Sequence, residues 1–166
     1  KDGTAIQAVK RALECPGVTL KGIHCHVGSQ LFDLLAHTGA VHIFVEFLRD
    51  VQAETGCVLE EVNTGGGLGV MYVETDRPPT IDEFAETLVS TFLRCLNEFK
   101  LDWQPKLIQE PGRSLVCTAG TTLYTIGTIK TVPITEAPGS RTYVAVDGGL
   151  SDNPRPSLYQ AVYTPL

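Results

Sequence analysis

A chain of 166 residues, 43% of them hydrophobic, is the size of one domain and carries enough apolar mass for a core. Its net charge of −6, with no cluster of Lys or Arg to neutralise phosphates, excludes nucleic acid as the expected partner. No apolar run is long enough to span a bilayer, and five cysteines without a Cys-x-x-Cys pair fit reduced thiols in a cytoplasmic compartment.

Taken in chain order, Ala5, Ile6, Val9, Ala12 and Leu13 recur at helical spacing, and Pro16-Gly17 follows, so a helix is expected over residues 1–14. Residues 18–27 read as a strand that ends in Gly28-Ser29-Gln30. Val41, Phe44, Val45, Leu48 and Val51 keep the 3.6 period until Gly56, which suits the residue just past a helix. Residues 57–63 form a second expected strand, running into Gly65-Gly66-Gly67-Leu68-Gly69. Thr80-Ile81-Asp82-Glu83 has capping-box spacing behind Pro78-Pro79, and Phe84, Leu88, Phe92, Leu96 and Phe99 mark the buried face of the helix that follows. Residues 105–109 give a third short strand, ending in Glu110-Pro111-Gly112-Arg113.

Helix, strand, helix, strand, helix, strand is the pattern of a parallel α/β sheet or barrel. Each strand ends in a loop rich in glycine and polar groups, and in a (β/α)₈ barrel such loops meet on the face where active sites lie. The glycine run reads as a cradle whose backbone N–H groups close around a phosphate. A dinucleotide fingerprint fails on spacing, because Val70 stands where its third glycine belongs and no helix follows at once. Beyond Arg113 the composition changes: residues 121–133 and 141–147 are rich in Thr, Val, Ile and Tyr, and Ala137-Pro138-Gly139-Ser140 separates them as a turn. The expected class is therefore α/β plus β, with residues 1–119 as one domain and 120–166 as a β domain. The chain opens at Lys1 without Met and stops at Leu166 just after an aromatic, strand-like run, so a piece of a longer protein is expected.

Four motifs in order, residues 22–30 (GIHCHVGSQ), 63–69 (NTGGGLG), 110–113 (EPGR) and 147–159 (DGGLSDNPRPSLY), resemble the diaminopimelate decarboxylase family of fold-type III pyridoxal-phosphate decarboxylases. The resemblance runs from about residue 20 to the end. It implies a C-terminal part of a TIM barrel, about three βα units, followed by the start of a β domain. It also implies a pyridoxal 5'-phosphate cofactor, a small amino-acid substrate, a homodimer in the full-length protein, and decarboxylation of meso-2,6-diaminopimelate to L-lysine.

Residue by residue, the resemblance makes Glu110 the carboxylate beside the cofactor's ring nitrogen and His26 the histidine stacked on the ring. Ser29, Gly65, Gly66 and Gly67 would contact the phosphate; Arg113 would contact phosphate or substrate. Arg155 and Tyr159 would select the substrate, because a planar arginine fork fits a distal carboxylate and would repel the amine end of ornithine. His24 reads either as a core histidine or as half of a metal pair with His26; no ligand set at convincing spacing accompanies it, and no metal is expected.

Two family features find no match in the chain. The Schiff-base lysine lies on an early barrel strand; Lys1, Lys10, Lys21, Lys100, Lys106 and Lys130 are all placed where none would reach the cofactor. The active-site cysteine segment, given across the dimer interface, is absent too, and neither Cys25 nor Cys117 replaces it. Alternatives are a decarboxylase for arginine or a carboxylated polyamine precursor, and a non-catalytic cofactor-binding relative that regulates a partner.

Overall fold

The computed structural model describes residues 3–135 and 138–164. The elements run α1 (Thr4–Leu13), β1 (Gly22–His24), α2 (Leu35–Thr55), β2 (Glu61–Asn63), α3 (Ile81–Glu98), β3 (Lys106–Ile108), α4 (Gly112–Val116), a 3₁₀ turn (Cys117–Ala119), β4 (Ile126–Pro133), β5 (Ser140–Val146) and α5 (Arg155–Tyr159). Lys1 and Asp2 of the expected first helix, Ala137 of the expected turn, and Leu166 lie outside the described residues. Among the described residues no helix is long and apolar enough to cross a membrane.

The chain divides into two compact units. The first comprises Lys1–Met71 with Thr75–Cys117, and the second Tyr72–Glu74 with Thr118–Leu166. In the first, β1, β2 and β3 form a parallel sheet in chain order, with Ile23 opposite Val62 and Val62 opposite Leu107. The strands are shorter than the sequence predicts, three residues each. The ladder nevertheless continues at both ends, through Glu60 N–H to Lys21 O (2.8 Å) and Cys25 N–H to Asn63 O (3.0 Å).

Side chains alternate across a strand, and that decides where the core lies. Ile23, Val62 and Leu107 all join the apolar cluster that α1 and α2 supply through Val9, Leu48 and Val51. A second cluster joins Val41 and Val45 of α2 to Phe84, Leu88 and Phe92 of α3. The helices thus cover one face of the sheet. The other face presents Gly22, His24, Glu61, Asn63, Lys106 and Ile108, mostly polar groups.

Helix α2 begins at Leu35, earlier than its apolar period suggests, because the Leu35 N–H bonds Asp33 Oδ1 at 2.7 Å and the buried side of His37 and Ala40 extends the stripe. It ends at Gly56, whose φ of 70° is the left-handed conformation that glycine adopts without strain. Helix α3 has the expected capping box: Thr80 Oγ1 accepts the Glu83 N–H at 3.1 Å, and Glu83 Oε2 accepts the Thr80 N–H at 2.7 Å. Thr80→Ala should therefore cost about 1 kcal/mol of stability, read by urea unfolding. These bonds to Thr80 hold the Glu83 carboxyl below the usual carboxylate range. A lowered carboxyl contributes stability above its unfolded value and loses it as pH falls through the folded value. The gap between Thr80→Ala and the unchanged protein should narrow in acid, and a gap independent of pH would contradict the reciprocal cap.

The second unit is built on an antiparallel ribbon, in which Ile129 faces Val144 and Thr131 faces Thr142, their hydroxyls 2.9 Å apart. The expected aromatic, strand-like run near the end forms no strand among the described residues: Arg155–Tyr159 folds as α5, with Pro156 in its first turn and Gln160 in the left-handed conformation (φ 53°) at its end, and residues 161–164 carry no regular structure. A proline in the first turn gives up no helical hydrogen bond, which is why Arg155-Pro156 opens this helix. Both α4 and α5 are five residues long, too short to display a helical period in sequence.

Candidate functional site

The three parallel strands deliver three loops to the same edge of the sheet. His24 ends β1 and Asn63 ends β2, paired in register and on the face away from the helices. Glu110 lies two residues past the end of β3, and both side chains reach it. The Asn63 amide Nδ2 donates to Glu110 Oε1 at 2.7 Å, and His24 Nε2 lies 3.3 Å from Oε2. The Asn63 bond, followed by the His24 contacts and the charge of His26, holds the Glu110 carboxyl below the usual carboxylate range. His24 is therefore not a core histidine: its side chain is 53% exposed and is paired with a carboxylate.

Asn63 has a second task. Its Oδ1 accepts the Gly65 N–H at 2.8 Å, so one side chain ties the carboxylate to the glycine run. The sequence shows Asn63 in its motif but gives it no role, since an amide signals a turn as readily as a clamp. The glycine run itself differs from an open cradle of three N–H groups. The Gly65 N–H is taken by Asn63 and the Gly66 N–H by His26 Nδ1 at 3.3 Å. Among the described residues the Gly67 N–H has no hydrogen-bond acceptor.

What the glycines do besides is let three loops meet. A β-carbon on Gly65 would stand 2.4 Å from Cys25 O, on Gly66 2.1 Å from Glu110 O, and on Gly67 2.1 Å from Gly28 O. Gly65 and Gly67 also have φ of 73° and 106°. Each glycine is thus a point where another strand-end backbone passes too closely for any side chain. The backbone links run the same way: Glu110 N–H to Gly65 O (2.8 Å), Leu31 N–H to Gly67 O (2.9 Å) and Gly69 N–H to Leu31 O (2.9 Å).

His26 sits within this junction. With Nδ1 accepting from Gly66, the neutral ring carries its proton on Nε2, which is 3.4 Å from Ser29 Oγ. Gln30 bridges the same loops, accepting the Val70 N–H at 3.3 Å and the Arg113 Nη1–H at 3.2 Å on one oxygen. Arg113 is thereby tied to the loop after β1. Burial pushes the Cys25 thiol upward, away from the thiolate form needed for attack.

His37 is the residue that sequence reading passes over. It is fully buried on α2, and Nε2 lies 3.2 Å from Gly66 O. The signal available was a histidine at the head of an apolar stripe, followed by Val41 and Val45 at intervals of four. Thr64, also fully buried, accepts the Gln109 amide on its hydroxyl.

Glu110, His26, Ser29, Gly65, Gly66, Gly67 and Arg113 all belong to the first unit; Arg155 and Tyr159 belong to the second. Within that second unit the Arg155 guanidinium lies 5.3 Å from the Tyr159 ring centre and 5.8 Å from that of Tyr72. Asn153 Oδ1 accepts the Arg155 backbone N–H at 3.3 Å, while Arg155 Nε is buried without a hydrogen-bond partner among the described residues.

A family described as "Pyridoxal-dependent decarboxylase, pyridoxal binding domain" matches residues 1–117. The diaminopimelate decarboxylase of Bacillus subtilis is 40% identical over 162 residues, which cover 98% of this chain and 36% of that protein. The crystal structure of diaminopimelate decarboxylase from Methanocaldococcus jannaschii in co-complex with L-lysine superposes with a TM-score of 0.81 at 38% identity, covering 98% of this chain and 35% of that one. The Helicobacter pylori diaminopimelate decarboxylase complexed with L-lysine gives 0.75 at 25% identity, over 97% of this chain and 36% of that one. The chain thus spans about a third of the length of the relatives it matches. With 117 of its 166 residues matched, and with three strand-end loops meeting at the glycine run, the chain belongs to the pyridoxal-dependent decarboxylase family.

Proposed function

We propose that this chain is part of a cytoplasmic, homodimeric diaminopimelate decarboxylase, which removes CO₂ from meso-2,6-diaminopimelate to give L-lysine. Residues 1–119 would be about three βα units of a TIM barrel, and 120–166 the start of its β domain. The observation that carries the reading is the junction itself: an ionised Glu110 gripped by Asn63 and His24, beside a glycine run whose Gly67 N–H has no acceptor among the described residues.

That donor set fits pyridoxal 5'-phosphate. The Ser29 hydroxyl and the Gly67 N–H suit phosphate oxygens, and the Glu110 carboxylate suits a protonated ring nitrogen. When bound, the cofactor supplies an electron sink for the bond pair left behind as CO₂ departs. The chain's own groups do the rest. Glu110 holds the proton on the ring nitrogen; His26, fixed by Gly66 on one side and Ser29 on the other, presents a flat ring for stacking. Gln30 and Asn63 keep the three loops in register, and Arg113 adds positive charge to their common edge.

Arg155 would hold the distal carboxylate of the substrate. Its guanidinium is steadied by the rings of Tyr72 and Tyr159, and its Nε–H lacks an acceptor among the described residues. In the whole protein Arg155→Ala should cost about 2–5 kcal/mol in kcat/KM for diaminopimelate, mostly through KM. Unchanged kcat/KM would remove the carboxylate assignment. The test of the activity is CO₂ and lysine formation by the whole protein with added pyridoxal phosphate. Turnover of arginine or ornithine with none of diaminopimelate would overturn it.

A further inference from the structure

We infer that His37, buried in α2 with no exposed edge, is a positioning residue that aims the Gly67 N–H at the cofactor phosphate; the inference rests on the cofactor reading above. A carbonyl oxygen only accepts, so the 3.2 Å contact from His37 Nε2 to Gly66 O requires the proton to sit on Nε2. Nδ1 is then a bare acceptor, and it is buried without a partner among the described residues. The ring stands edge-on to Phe84 of α3, centroids 5.1 Å apart at 89°, where an apolar ring would pack with no orphaned nitrogen. The polar contact that His37 gains in exchange is the one to Gly66.

That contact fixes a particular peptide plane. The carbonyl of Gly66 and the N–H of Gly67 belong to the same peptide group, and in a trans peptide they point in opposite directions. Drawing the carbonyl toward α2 turns the Gly67 N–H away from the helical layer, toward the face on which Asn63 and His24 hold Glu110. Gly67 has no β-carbon and a φ of 106°, and the Leu31 N–H that bonds its carbonyl fixes the following peptide group, not the one that carries the Gly67 N–H. The neighbouring Gly65 and Gly66 N–H groups are engaged by Asn63 and His26, which leaves Gly67 as the donor whose direction matters. His37 Nε2 would lie 3.7 Å from a β-carbon at Gly67, close enough to act on the turn and too deep to touch a ligand.

The experiment compares the unchanged whole protein with His37→Phe, which keeps a ring and loses the donor, and His37→Gln, whose amide N–H reaches about as far as Nε2. Cofactor dissociation constants come from titrating each apo-protein with pyridoxal phosphate, and the ³¹P shift of the bound cofactor reports its phosphate contacts. His37→Phe should weaken binding on the order of tenfold, the value of one oriented hydrogen bond, and move the ³¹P shift. His37→Gln should recover most of the affinity and the original shift, which a purely packing role would not predict. Equal affinity and an unmoved shift in His37→Phe would overturn the inference. If neither variant folds, ¹⁵N-histidine spectra of the unchanged protein decide: protonated Nε2 is required, and protonated Nδ1 overturns the assignment. Absence of saturable binding by the unchanged protein would instead remove the cofactor reading, and this inference with it.

Discussion

Glu110→Gln in the whole protein should lower kcat on the order of 10²-fold or more, the scale of losing one preorganised electrostatic partner, while cofactor affinity falls far less. Glutamine has the same shape, and its carbonyl can still accept the 2.7 Å bond that Asn63 donates. The substitution removes charge and leaves the Asn63 half of the clamp. A negative charge beside the ring nitrogen matters most when electrons flow toward that nitrogen, so its loss weighs on the transition state more than on the bound ground state. The geometry keeps this charge available. Asn63, and then His24 and His26, hold the Glu110 carboxyl below the usual range, so the anion persists until pH falls through that lowered value. Asn63→Leu should raise the acid limb of the kcat profile toward the ordinary carboxylate range. Steady-state kinetics and cofactor titration on the same preparations check both parts. Equal losses in kcat and cofactor affinity for Glu110→Gln would mean that the carboxylate serves binding alone.

The parts of this fold legible in the sequence are those where one periodicity dominates. Phe84, Leu88, Phe92 and Leu96 repeat without interruption behind a two-sided cap, and α3 follows from them at Ile81. The sheet was legible in order and direction but not in length. Residues 18–21 are apolar enough for a strand, yet paired backbone begins only near Lys21, where Glu60 comes within reach. Helices α4 and α5 were not legible because five residues carry too little pattern, and in α5 two prolines hide the turn they initiate.

At the candidate site, the sequence motifs pick out residues that the structure brings together, but not how they are wired. Motif spacing led to Glu110, His26 and the glycines, but not to the fact that Asn63 spends one end of its amide on Glu110 and the other on Gly65. That arrangement depends on β2 lying beside β3, which no local stretch encodes. His37 was hidden for the opposite reason: its position in the stripe of α2 matches a packing residue, and only the carbonyl it meets across the layer gives its second nitrogen a purpose.

The glycine run yields the second large effect. Gly66→Ala should destabilise the apo-protein by about 3 kcal/mol, the upper part of the range for overpacking a filled site, because the new methyl would sit 2.1 Å from Glu110 O and 2.9 Å from Glu110 C. Both obstacles are backbone, so no side-chain rotation relieves them, and Gly66 has no positive φ to confuse steric cost with strain. Gly112→Ala is the matched control in the loop that Gly66 meets. Nothing lies within 4 Å of its β-carbon, and in α4 alanine should leave stability unchanged or raise it by about 0.5–1 kcal/mol. Urea unfolding of the apo-proteins keeps any contact with bound cofactor out of the comparison. Gly66→Ala should also weaken cofactor binding and slow turnover, since a displaced Glu110 backbone carries its carboxylate away from Asn63 and His24. Equal stability of Gly66→Ala and Gly112→Ala would show that the loops after β2 and β3 do not meet at Gly66. The clamp on Glu110 would then have to be held from elsewhere in the whole protein.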